Sequence, residues 1–234
     1  MRHALLLGAS LLAAASGALA PELDPYRALS HDGVASAALL DQVREGLREA
    51  VCGPEDGAGR APVAEADSGE ASAASVPPAP PEWPGSPRPL YVTLVRGRAT
   101  RACVGSDVPP GGSLSASLRW LGGQLATNDR RRPPVRAEEL DTLRLIVAFA
   151  GDPTPVADPM SVDPMREGLK IETGKGTVAF LPGEARTVAW ALREARRIGV
   201  LAGPVAEARC SKFDVVTLQG PATTRARRPI PSNP

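Results

Sequence analysis

Residues 90–105 read LYVTLVRGRATRACVG. Leu90, Val92 and Leu94 alternate with Tyr91, Thr93 and Val95, and a period of two marks a strand. Arg96-Gly97-Arg98 supplies a turn, and residues 99–104 continue as a second strand, so the stretch predicts a β-hairpin.

The flanking segments extend this reading. Upstream, Leu39, Leu40, Val43, Leu47 and Val51 give residues 36–51 one helical stripe, with Ser30 or Ser36 as the expected cap. Downstream, residues 113–127 predict a helix capped by Ser113, with Leu114, Leu118, Leu121 and Leu125 on one face. Gly122-Gly123 lies inside that helix, where each glycine costs about 1 kcal/mol relative to Ala. The pair therefore predicts either close packing against a neighbour or a weak helix. Residues 142–149 alternate again, and GLKIETGKGTVAFLP (168–182) predicts two strands around Thr173-Gly174-Lys175-Gly176. A helix over 186–198 stops at Gly199, and a last strand is expected over 211–218. Strands and helices mix without regular βαβ alternation. The fold class expected is α+β, an antiparallel sheet flanked by helices with a smaller α/β subdomain.

Composition limits what surrounds this domain. The chain has 234 residues, 25 of them Pro and 23 Gly, eight aromatic side chains, and a net charge of +1. Near-neutral bulk charge gives no attraction for phosphate, which excludes a strongly basic nucleic-acid binder. Three cysteines are too few for a disulfide scaffold. Residues 1–20 pair Arg2 and His3 with an apolar run and then small residues, which predicts a signal peptide and hence export to the periplasm or medium. The run is short for a stable membrane span; without cleavage and export the protein would be cytoplasmic. Residues 53–89 hold nine Pro and five Gly and read as a disordered insertion. Residues 219–234 read as a disordered basic tail.

Few motifs carry chemistry. Five residues separate Gly168 from Gly174, and Gly176 stands where a phosphate loop needs Ser or Thr, so this stretch reads as a hairpin. His3 and His31 are the only histidines, and Cys52, Cys103 and Cys210 lack clustered spacing, so no metal or cofactor is expected. Arg130, Arg131, Arg132 and Arg136 concentrate positive charge in one loop beside Asp129, Glu138 and Glu139. That loop is either a solvated surface or an edge that binds a small anion. Cys103 stands two residues after Arg101 on a strand, which predicts a shared face. A guanidinium there would favour thiolate, the nucleophilic form; the alternative is a buried cysteine acting as a small apolar residue.

Taken in order, YVTLVRGRATRACVG, NDRRRPPVRAEELDTLRLIVAF and EGLKIETGKGTVAFLP resemble the AMMECR domain family. Its microbial members are called AmmeMemoRadiSam system protein A. The family pattern is a Phe/Tyr-Val-Thr-Leu strand, then Leu-Arg-Gly-Cys-Ile-Gly. An Asp-Pro-Arg-Phe-Pro-Pro-Val segment with Glu-Glu-Leu and a Gly-Leu…Leu-Pro hairpin follow. LLDQVREGLREAV resembles its opening helix, so the resemblance covers residues 35–218 apart from the insertion. Arg101, Cys103 and Gly105 fall on the hexapeptide. Asp129, Arg131, Pro133, Pro134, Glu138, Glu139 and Leu140 fall on the second motif, and Gly168, Leu169, Leu181 and Pro182 on the third. Thr100, Ala102, Arg130 and Arg132 depart from it, and the late Cys-x-Lys-Ala-Gly-Leu falls on Ala195 to Val200, without its cysteine. The resemblance implies an α+β fold of two unequal parts and association with a Memo-like or radical SAM protein. The family's activity is not established.

Two functional readings stay open. In one, the domain binds a small ligand or a protein and Cys103 is structural. In the other, Cys103 is a catalytic or redox thiol paired with Arg101, and Gly105, Asp129, Arg130, Arg131 and Arg132 hold an anionic substrate.

Overall fold

The computed structural model describes residues 20–53, 82–129 and 131–223. Residues 1–19, read as a signal peptide, residues 54–81 of the stretch read as an insertion, Arg130 and residues 224–234 of the stretch read as a tail lie outside the described residues. Twelve regular elements follow in order: α1 (Asp24–His31), α2 (Gly33–Cys52), β1 (Leu90–Arg96), β2 (Ala99–Ser106), α3 (Leu114–Thr127), β3 (Arg144–Ala150), β4 (Thr154–Pro155), β5 (Gly168–Thr173), β6 (Gly176–Phe180), α4 (Val188–Arg197), β7 (Arg209–Phe213) and β8 (Val215–Pro221). The fold is α+β. One antiparallel sheet has the order β2-β1-β3-β8, and a second has β4-β7-β5-β6.

The first sheet carries the larger core. Leu90, Val92 and Leu94 of β1 and Leu145, Val147 and Phe149 of β3 face α2 and α3, and all six are fully buried. Gly122 and Gly46 let those helices touch backbone to backbone: a Cβ on Gly122 would lie 2.2 Å from the Val43 carbonyl oxygen. The close packing predicted from Gly122-Gly123 is thus made by Gly122. The smaller core joins Ile171, Phe180, Ala191, Leu192 and Ala195 between the second sheet and α4. Tyr91, Ala148, Ala150, Leu181 and Phe213 pack the lobes together, with the Tyr91 and Phe213 rings stacked at 5.9 Å.

Five local expectations change. The cap of α2 is Asp32, whose Oδ1 accepts from the Val34 and Ala35 amides, and not Ser30 or Ser36. The domain begins before residue 35, because Leu23 and Tyr26 of the preceding segment are fully buried. Residues 82–89, read with the insertion, meet that segment: Trp83 packs on the core, Tyr26 donates to the Ser86 carbonyl, and Arg88 pairs with Glu22 and Asp152. The single strand expected over 211–218 is two strands in different sheets. The chain returns to the first lobe at Asp214, whose carbonyl accepts from the amide of Gly151 at the outward crossing. The tail begins later than residue 219, since β8 runs through Pro221 and the Ala222 amide bonds the Leu143 carbonyl. Among the described residues, no helix is long and apolar enough to cross a membrane.

Candidate functional site

The hairpin predicted at 90–105 forms, and its register aims the site. Thr93 pairs with Cys103, Leu94 with Ala102, and Val95 with Thr100, leaving Arg101 as the extra residue of a bulge. A bulge re-aims its side chain. Arg101 therefore does not join Cys103. Its guanidinium binds both carboxylate oxygens of Glu139 at 2.8 Å and the carbonyls of Pro133 and Pro134 at 3.0 and 2.9 Å. Ala102 points into the large core.

Glu139 is the anchor of that corner. It also accepts from Arg96 at 2.6 Å and from the Arg136 amide at 3.1 Å. The Arg101 hydrogen bonds hold its carboxyl down at about 2. A carboxylate depressed in the folded state stabilises the fold above its ordinary range and loses that contribution as pH falls. The melting temperature of Glu139→Gln is expected below wild type at neutral pH. The gap should narrow between the ordinary value of 4.5 and about 2. A gap independent of pH in thermal melts would contradict this.

Cys103 sits in a different polar cluster. Its amide donates to Asp129 Oδ2 at 2.9 Å, and Thr93 Oγ1 donates to its sulfur at 3.2 Å. The other oxygen of Asp129 accepts from the Arg131 amide and Nε at 2.8 and 3.2 Å. Arg131 Nη1 then reaches Glu184 Oε1 at 2.7 Å, and Glu184 Oε2 accepts from the Leu181 amide at 3.2 Å. Burial pushes the thiol up to about 12; Glu184 adds to the rise and Arg131 opposes it. Burial works against the charge on Arg131, but Glu184, Cys103 and Asp129 outweigh it and keep the guanidinium cationic. The cation facing the thiol is thus Arg131, and it is shared with two carboxylates.

Beside this cluster lies a cleft of about 490 Å³ between the lobes. Cys103, Gly105, Asp129 and Arg131 line it, with Asp107, Trp120 and Gln124 opposite Thr177 and Val178. Gly105 leaves room for the Tyr91 ring, which a Cβ would meet at 2.2 Å. Arg132 is exposed and lines a separate surface with Arg101 and Arg136. The structure thus brings Cys103, Gly105, Asp129 and Arg131 together, leaves Arg101 and Arg132 elsewhere, and does not describe Arg130. Sequence reasoning missed Thr93 and Glu184. Glu184 follows the Leu181-Pro182 motif by two residues, a proximity that would have marked it. Among the described residues, no three His, Cys, Asp or Glu side chains group to hold a metal.

Comparison with known proteins agrees with the motifs. The AMMECR1 family model matches residues 59–209. A protein of Thermotoga maritima is 33% identical over 93 residues, 39% of this chain and 53% of that one. A protein of Thermococcus gammatolerans is 34% identical over 103 residues, 40% of this chain and 50% of that one. The chain spans about half the length of these curated relatives. The crystal structure of an uncharacterised protein from Pyrococcus horikoshii superposes with a TM-score of 0.51 at 19% identity, over 77% of this chain and 89% of that one, a likeness of fold.

Proposed function

This chain belongs to the AMMECR1 family, and from that premise we propose that it is a small-ligand-binding domain. The ligand sits in the cleft between the lobes, and Cys103 serves there as a neutral, half-buried hydrogen-bonding group. One observation carries the reading: Cys103, its sulfur accepting from Thr93 and its amide held by Asp129, lines a cleft of about 490 Å³, and desolvation pushes its thiol up to about 12. That volume falls within the range of about 300–1,000 Å³ typical of small-molecule sites. Arg131 is already matched by Asp129 and Glu184, so the ligand is uncharged where it meets the cluster. Trp120, 44% exposed on the rim, offers a planar apolar surface. The reading of Cys103 as a nucleophile has less support, because Glu184 and Asp129 both raise the cost of a thiolate.

Iodoacetamide labelling of the native chain, resolved by peptide mass, tests this. Exposed Cys52 is expected to label readily in the folded chain. Cys103 is expected to stay unlabelled until denaturant is added. Labelling of folded Cys103 as fast as Cys52 would overturn the reading. A titration with benzamide, followed by amide shifts at Cys103, Gly105 and Thr177, tests the cleft. The shifts are expected to persist in Cys103→Ser, and their absence in both proteins would count against binding there.

A further inference from the structure

We propose that a second cleft, on the other side of the Cys103 cluster, binds an aliphatic carboxylate. The second lobe covers only part of the outer face of the first sheet. Tyr91 and Ala148 lie under it. Val95, Ile146, Val215 and Thr217, farther along the same face, remain as the floor of a cavity of about 910 Å³. The loops bearing Met165 and Leu181 form its wall. Thr93 and Glu184 face this cavity, whereas Cys103, Asp129 and Arg131 face the first cleft. The buried cluster is therefore a partition between two separate sites.

Charge distinguishes them. Arg98, Arg144, Arg166 and Arg186 line the second cavity, and among the described residues Glu184 is its one lining carboxylate. Glu184 is already taken by Arg131 and the Leu181 amide. Arg144 reaches only Gln219, at 3.4 Å, and Arg166 lies 3.8 Å from Asp163. Arg98 and Arg186 have no ion pair among the described residues. The guanidinium forks of Arg98, Arg144 and Arg186, matched to no carboxylate among the described residues, over a floor of branched aliphatic side chains, suit a ligand with an anionic head and an apolar body. The floor lies on the face of the sheet and not at an edge, so a small molecule fits it better than an added strand. Half-buried apolar side chains such as Ile146 and Val215 gain from a covering chain.

The test is a titration of the full chain with octanoate, octanol and acetate, followed by amide shifts. Octanoate is expected to move the signals of Val95, Ile146 and Val215. Octanol should bind about tenfold more weakly, the value of one charge-assisted contact, and acetate at least about 100-fold more weakly for want of the buried chain. Arg144→Gln combined with Arg186→Gln changes two exposed side chains, so folding is preserved, and it should weaken octanoate about tenfold or more. Equal binding of octanol, equal binding of acetate, or no octanoate binding would overturn the proposal. Octanoate shifts confined to Cys103, Gly105 and Thr177 would overturn it too and would leave the first cleft as the ligand site. Failure of benzamide in the first cleft has no bearing on this result.

Discussion

Replacing Arg131 with Met is expected to destabilise the fold by about 3–5 kcal/mol, the usual cost of removing one partner from a buried ion pair. The side chains of Arg131 and Glu184 are 10% and 6% exposed. Loss of the cation leaves Glu184 buried without a counter-charge, and it leaves one oxygen of Asp129 with the Arg131 amide alone. Asp129 also holds the Cys103 amide and Glu184 holds the Leu181 amide, so both lobes lose an anchor. Urea denaturation at neutral pH measures the effect. Adding Glu184→Gln to Arg131→Met should recover part of the loss, because a neutral amide is cheaper to bury than a lone carboxylate. A loss below about 1 kcal/mol, the size of an exposed pair, would mean that water screens the cluster. That outcome would also remove the reason for treating the thiol as desolvated.

The second large effect concerns the helix pair. Gly122→Ala is expected to destabilise the protein, although Ala favours a helix by about 1 kcal/mol over Gly. Its Cβ would stand 2.2 Å from the Val43 oxygen and 3.0 Å from the Leu47 amide nitrogen. Both are backbone atoms, so the helices themselves must separate. Overpacking of this kind costs about 1–3 kcal/mol, and the shift propagates along the interface. Gly123→Ala is the internal control. Its nearest contact would be the Gly46 oxygen at 3.7 Å, an ordinary separation. There the propensity gain of up to about 1 kcal/mol should appear. If both substitutions stabilise, α2 and α3 are not in backbone contact.

The two glycines show how far local sequence reading reaches. The cost of a glycine pair inside a helix signalled a close neighbour, and the neighbour is α2. The signal did not separate Gly122 from Gly123, because which one faces α2 depends on how the helix is rolled against its partner. Strand alternation at 90–95, the Ser113 cap and the stop at Gly199 were legible for the same local reason. Each depends on residues within a turn or two along the chain. Asp32 displaced the serines as cap because the first helix ends at His31, and that helix was invisible without the core it covers.

The sequence by itself determined the α+β class, the hairpin that carries Cys103, and the family that the ordered motifs indicate. Tertiary structure decided which groups meet. Alternation predicted that Arg101 would face Cys103, but a bulge is defined only by the partner strand, and it sends Arg101 to Glu139. The cation beside the thiol is Arg131. Its partner Glu184 stands 53 residues away, beyond a crossing into the other lobe. Local periodicity records which way a side chain leaves its own strand or helix. Charge pairing and desolvation depend on distances through space, and these exist only once the two sheets have packed around Tyr91 and Phe213.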